Sequence, residues 1–284
     1  MNEKLLKVLQ YNKILKSIEK YAKSDISKHR ISEILPMSDI NAIEYELDKT
    51  NQAFSILNGI GRLPISAFLE IDNSVTKAQK GGALSIAEFW ELKRFFKICI
   101  DIIKFFSNEA IQRLDCDKIF AVVSYILIDA DFHRELSRVF IDKDQIADNA
   151  TDELMRIRRE MKNAETEITA AVNSVLNNPS YRKYLSDNVP AMKNQRLTVP
   201  VRAEFKDSIK GVIHDISSTG ATVFIEPEKS YSLNNKLNEL RIKESLETEK
   251  ILSDYSAQVS AMSDNILSSY DAVISLDMVF SKAE

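Results

Sequence analysis

From residue 150 the apolar positions recur at Ala150, Leu154, Ile157, Met161, Ala164, Ile168, Ala171 and Val175, in steps that alternate four and three. This spacing draws one apolar stripe along a helix that lies against a partner helix. At about 1.5 Å of rise per residue, such a rod spans roughly 40 Å. The stripe stops near Asn177-Asn178-Pro179. A β-like stretch from about Val189 to Ile225 follows, and residues 197–201, 212–213 and 222–225 predict three short strands. Pro200 predicts a sheet edge or a bulge, because it has no N–H for a ladder. In the turn Ser217-Ser218-Thr219-Gly220, Gly220 is the natural place for a positive φ. A second helical pattern opens at Leu233, Leu237 and Leu240, resumes at Leu252, Tyr255, Val259, Met262 and Ile266, and runs almost to the end of the chain. Between its two parts Glu244, Glu247, Glu249 and Lys250 predict a solvent-exposed middle. Two rods with a β module between them predict an arm with a tip.

The first half of the chain reads as helices throughout. Leu5, Leu6, Leu9, Ile14, Leu15, Ile18 and Tyr21 mark the first, and a second runs from about Asp25 to Leu35, ending at Pro36. Ser38 or Asp39 can cap the next, in which Ile43, Leu47, Ala53 and Leu57 are expected to face inward. Asn58-Gly59-Ile60-Gly61 closes it. After the break at Gly81-Gly82, Ser85-Ile86-Ala87-Glu88 has the form of a capping box. The helix it starts carries Phe89, Trp90, Leu92, Phe95, Phe96 and Ile103, heavy enough for a core. Further helices are predicted around residues 119–127 and 131–136, and residues 138–146 read as a small hairpin or irregular link. The predicted organisation is a helical core over 1–149, rods over 150–178 and 232–284, and a β module over 179–231.

Composition narrows the function. Only six glycines and six prolines among 284 residues suit a mainly helical protein and disfavour a large sandwich or a Rossmann-type sheet. A net charge of −4 makes the whole chain no generic polyanion binder, so contact with nucleic acid requires a local basic patch. Between residues 178 and 214 there is one. Arg182, Lys183, Lys193, Arg196, Arg202, Lys206 and Lys210 face only Asp187, Glu204 and Asp207, a local charge of +4. Such cations neutralise phosphates without reading sequence, and Tyr181 and Tyr184 beside them could stack on an unpaired base. A charge run is otherwise an ordinary solvated loop.

Cys99 and Cys116 are too few for a disulfide framework or a structural zinc site, and read as reduced core residues. The three histidines, 29, 133 and 214, share no metal-ligand spacing with each other or with the cysteines, so no metal is expected. His214, Asp215 and Ser217 hint at a hydrolase, but neighbours on one strand point to opposite faces, so no catalytic residue is assigned. Met1-Asn2-Glu3-Lys4 does not begin a signal peptide, and the most apolar stretch, around Phe95 to Phe106, is too short and too charged to span a bilayer. No membrane partner and a cytoplasmic location are the expectation.

The stretch Gly211-Val212-Ile213-His214-Asp215-Ile216-Ser217-Ser218-Thr219-Gly220-Ala221-Thr222-Val223-Phe224-Ile225-Glu226-Pro227 resembles the clamp segment of the second branch of bacterial MutS proteins. Three further stretches agree with it: Val199-Pro200-Val201-Arg202-Ala203-Glu204-Phe205, Leu233-Asn234-Asn235-Lys236-Leu237 and Lys80-Gly81-Gly82-Ala83-Leu84-Ser85. Their order and spacing fit along essentially the whole chain. The resemblance implies a mainly α fold, with a helical core, two long antiparallel lever helices and a small antiparallel β clamp between them. It also implies a parent that continues into an ABC-type ATPase using ATP and Mg, with a Smr nuclease module, and that dimerises through its ATPase halves. No glycine here is followed by lysine, so the G-x-x-x-x-G-K-[ST] phosphate cradle is missing. The chain therefore reads as an N-terminal fragment, not an enzyme by itself and without a cofactor of its own.

Two functions follow from the resemblance and the patch. In the first, the clamp embraces nucleic acid in a structure-selective, sequence-independent way. The ligand is then branched DNA, in suppression of recombination, or rRNA, in rescue of collided ribosomes. In the second, a coiled-coil arm docks a partner subunit, the missing ATPase domain or the ribosome without touching nucleic acid.

Overall fold

The computed structural model describes residue 6 and residues 8–284; Leu5 and the Met1–Lys4 stretch of the sequence reading lie outside them. The protein is mainly α, and it divides into two compact units, Met1–Ala147 with Leu252–Glu284, and Asp148–Ile251.

In the first unit, helix α1 (Tyr11–Glu19) buries Leu15, which packs with Ala22 and Ile31. Its stripe is narrower than the sequence pattern implies, since Ile14 is exposed. Helix α2 (Asp25–Ser32) starts where the Ser24 hydroxyl accepts the Ser27 amide proton. Helix α3 (Ile40–Gly59) is capped by Asp39, which accepts from the Ala42 amide. Lys49, Ala53 and Ile56 form its buried side, and Leu47, expected inside, is 58% exposed. Lys49 can occupy the inward position because its ammonium pairs with Glu46 and lies 5.3 Å from the centre of the Tyr45 ring.

After α4 (Asp72–Gln79), helix α5 (Ile86–Phe106) has the predicted capping box. The Ser85 hydroxyl accepts from the Glu88 amide at 3.3 Å, and the Glu88 carboxylate accepts from the Ser85 amide at 2.8 Å. Partial burial pushes the Glu88 carboxyl up, but its bonds from Ser85 and Lys77 together hold it below the usual carboxylate range. A depressed pKa adds stability that is present above the unfolded value and is lost as pH falls through the folded one. Glu88→Ala is therefore expected to cost about 1 kcal/mol at pH 7, and the gap from the parent should close in melts repeated near pH 3. An equal gap at both pH values would refute this.

Phe89, Leu92, Phe95, Phe96, Cys99 and Ile102 of α5 are fully buried, whereas Trp90 is half-buried and Ile103 is 38% exposed. Short helices α6 (Glu109–Gln112) and α7 (Asp117–Val123) lead to α8 (Ala130–Val139). The strands β1 (Phe140–Asp142) and β2 (Gln145–Ile146) then form the small hairpin, with Phe140 stacked 4.4 Å from Phe89.

The second unit opens with the 25-residue helix α9 (Asp152–Leu176), capped by Thr151. The sheet follows, and the chain then enters the 34-residue helix α10 (Glu228–Ala261), whose residues from Leu252 onward belong to the first unit. Ala164 and Ile168 of α9 form a buried cluster with Leu237 of α10, and Met161 and Leu233 pack against it. The middle of the stripe is thus covered by the chain's own second helix. At its end the buried positions shift from Val175 to Val172 and Leu176.

The glutamate-rich middle of α10 differs from the expectation. Glu244 accepts from Arg158 at 2.7 Å, and Glu247, its side chain 10% exposed, accepts from the Thr151 hydroxyl at 2.8 Å. Spacing marks these residues as polar, but only the partner helix decides that two of them turn inward. The pattern read as continuous almost to the C-terminus is interrupted at Met262, whose amide is shared between the Gln258 and Val259 carbonyls. Helix α11 (Ser263–Ala283) begins there and buries Ile266, Tyr270, Val273, Leu276 and Val279 within the first unit.

Candidate nucleic-acid interface

The sheet of the second unit has four antiparallel strands in the order β3 (Ala191–Lys193), β4 (Arg196–Arg202), β6 (Thr222–Pro227), β5 (Gly211–Ile216). Strand β3 is additional to the three strands expected. It is joined to β4 by Asn194 and Gln195, with φ of 48° and 60°. Two central residues with positive φ make a type I′ hairpin, here without the glycine that usually signals one. Pro200 lies on an interior strand, opposite Phe224. Its carbonyl accepts from Ser186, on the side away from β6, and its nitrogen points the same way, so β6 loses no ladder bond. Strand β3 ends at its pairing with Thr198 and does not reach Pro200.

Val199, Val201, Val223 and Ile225 alternate onto one face of the sheet and pack with Val172, Leu176 and Leu185. The opposite face carries Pro200 and Phe224 beside a polar cluster. Its centre is Glu226, which is fully buried and accepts from His214 Nε2 at 2.6 Å, Asn234 Nδ2 at 2.6 Å and Arg196 at 3.4 Å. His214 reaches Glu226 because it is the extra residue of a bulge, with Ile213 opposite Ile225 and Asp215 opposite Phe224. At the start of β5, a Cβ on Gly211 would stand 2.0 Å from the Glu226 carbonyl oxygen, so only glycine permits this approach. Gly220 has the positive φ, 71°, that its turn requires.

The sheet curls so that its two edges meet. Lys193 on β3 pairs with Asp215 on β5 at 2.7 Å, and the Asn194 side chain donates to the His214 carbonyl at 3.0 Å. Lys193 also stands 4.4 Å from the Phe224 ring centre. The Lys193 bond first, and the Ile216 amide second, hold the Asp215 carboxyl below its usual range. Ser217 accepts from the Thr222 amide at 3.0 Å. His214, Asp215 and Ser217 thus each engage a different partner. Among the described residues, no group of three or more His, Cys, Asp or Glu could hold a metal ion.

The seven cations singled out in the sequence fall into separate settings. Lys193 and Arg196 are engaged with Asp215 and Glu226. Arg202 is exposed and donates through Nε to the Leu185 carbonyl. Arg182, Lys183, Lys206 and Lys210 are exposed and, among the described residues, make no ion pair. Tyr184 lies 5.1 Å from Phe205 and 6.4 Å from Tyr181, which draws the 181–184 turn against the 3-10 helix Ala203–Ser208. Arg182, Lys183, Arg202 and Lys206 thereby sit on adjoining segments. Both tyrosines are half-buried against the sheet core, and Lys183 stands 4.9 Å from the Tyr184 ring centre. Arg196 and Arg202 mark opposite ends of β4, about 20 Å apart at strand rise. The residues that spacing did not single out are Glu226 and Asn234. The signal was present, since a glutamate inside the apolar run Val223-Phe224-Ile225-Glu226-Pro227 must find donors if it is buried.

No family model matches the chain. It is similar to a protein of Clostridium beijerinckii named endonuclease MutS2, with 34% identity over 283 residues that cover 99% of this chain and 36% of that protein. A Clostridium botulinum protein of the same name is 33% identical over 285 residues, covering 100% of this chain and 36% of its own length. Its namesake in Lachnospira eligens is 33% identical over 284 residues, covering 100% of this chain and 35% of that protein. The chain thus spans little more than a third of the length of these relatives. Among the described residues, no helix is long and apolar enough to cross a membrane. Aligned along its whole length with a part of these proteins, and sharing about a third of its residues with them, the chain belongs to the MutS2 branch of the MutS family.

Proposed function

We propose that the unit Asp148–Ile251 is a clamp that holds nucleic acid by its phosphates, without reading sequence, within a longer MutS-like ATPase. One observation carries this reading. Arg182, Lys183, Lys206 and Lys210 are exposed and make no ion pair among the described residues, whereas Lys193 and Arg196 are held in the fold by carboxylates. The free set is available to phosphates, and the engaged set shapes the sheet that presents it. Helices α9 and α10 act as levers behind the sheet, and the ligand is branched DNA or rRNA. The ATP and Mg of such a protein, its dimer contacts and its nuclease activity belong to the same proposal, as does its cytoplasmic location.

Reversing Arg182, Lys183, Lys206 and Lys210 to glutamate together is expected to weaken binding to a four-way DNA junction by at least about tenfold. It should also flatten the plot of log K against log salt by about 3 to 4. Fluorescence anisotropy at several salt concentrations measures both. Unchanged affinity and slope in a folded variant would count against the clamp.

A second reading rests on the exposed apolar groups of the sheet's edge strands. Met192 on β3, and Val212, Ile213 and Ile216 on β5, are 39–65% exposed, as a protein-docking surface would require. If ribosomes or a partner subunit bind equally well to the charge-reversed variant, docking through these edges is the better account.

A further inference from the structure

The first unit contains a cavity of about 630 Å³ between α5, α8 and the extended segment before α4, which supplies Pro64, Ile65 and Ser66. That volume is of the size that holds small-molecule ligands. Trp90, Lys93, Arg94, Lys97 and Asp101 line it from one side of α5, with Trp90, Arg94, Lys97 and Asp101 at steps of three and four, and His133 lines it from α8. Three full cations thus face the cavity against one carboxylate. Lys97 pairs with Asp101, and Arg94 pairs with Glu91, which lies outside the lining. Lys93 makes no ion pair among the described residues, but it lies in the field of the Asp142 carboxylate. Its ammonium donates to the Phe140 carbonyl at 2.7 Å and stands 3.5 Å from the Trp90 ring centre. Burial, followed by the positive fields of Lys97 and Lys93, pushes the His133 imidazole down, with Asp101 opposing. Within the lining itself cations outnumber carboxylates, and beside an aromatic wall that suits an anion carrying a flat ring.

We infer that this cavity binds a nucleotide, with its phosphates along Lys93, Arg94 and Lys97 and its base beside Trp90. The 5′-phosphate end of a nucleic-acid strand shares this chemistry. The site lies in the unit without the clamp, so it stands or falls separately from the clamp.

Trp90 is the chain's single tryptophan, and its emission reports directly on occupancy. The chain is titrated with AMP, ATP, pyrophosphate, adenosine, and a short oligonucleotide with either a 5′-phosphate or a 5′-hydroxyl. Saturable quenching by AMP or ATP, absent with adenosine, is the expected result. A response confined to the 5′-phosphorylated oligonucleotide also supports the site and identifies the strand end as its ligand. In Lys93→Gln/Lys97→Gln the affinity should fall by at least about tenfold. Lys97→Gln alone changes an exposed side chain and should weaken binding severalfold even if the double variant folds poorly. No saturable change with any phosphate-bearing probe up to millimolar concentration overturns the inference. Equal affinity in the parent and Lys97→Gln does the same.

Discussion

Replacing Glu226 with alanine is expected to destabilise the sheet-bearing unit by about 3–5 kcal/mol, the scale for removing one partner of a buried charge network. The carboxylate is fully buried and serves three donors on three elements: Arg196 on β4, His214 on β5 and Asn234 on α10. Without it, a guanidinium 19% exposed, an imidazole 16% exposed and a buried amide lose their common acceptor. Asn234 is buried and the other two donors are mostly so, and the cost is therefore that of orphaned donors rather than of one hydrogen bond. Glu226→Gln keeps the shape and one acceptor oxygen, and should lose less. Because the chain has two units, a single melting temperature can mix two transitions. Hydrogen exchange at the Val223 and Ile225 amides, which face β4, is therefore the sharper measurement. A fall in protection equivalent to less than about 1 kcal/mol would show that the network contributes little.

The second large effect is expected at Asp277, in the other unit. This carboxylate is 4% exposed and lies on α11. It accepts from the Lys23 amide at 3.1 Å, the Ser24 amide at 3.2 Å and the Ser24 hydroxyl at 3.3 Å, across 253 and 254 positions of sequence. The same Ser24 hydroxyl caps α2, so one aspartate fixes the start of that helix to the last helix of the chain. Asp277→Ala strips two backbone amides of their acceptor and should cost about 2–4 kcal/mol. Asp277→Asn, which keeps one acceptor oxygen, should recover part of the loss. Denaturation followed by circular dichroism gives both values. Equal stability of Asp277→Ala and the parent would show that the amides find other partners.

The apolar spacing of the chain determined where its long helices run, since a stripe at steps of three and four is a property of neighbouring residues. Local chemistry did the same for the capping box at Ser85 and Glu88, the Asp39 cap and the Gly220 turn, each complete within a few positions. The family likeness rested on four such runs, the longest of them residues 211–227. What spacing left undecided is which side of a pattern meets another element. Leu47 fits the inward stripe of α3, yet Lys49 takes the buried place once Glu46 and Tyr45 accept its charge. Glu244 and Glu247 look solvated until Arg158 and Thr151 face them from the next helix. Among the seven cations, charge and spacing treat Arg196 and Arg182 alike. Folding brings a buried carboxylate to the first and none to the second, because pairing across a sheet depends on register and on a bulge at His214. Periodicity is written along the chain, and the division of charges between structure and ligand is made only where distant segments meet.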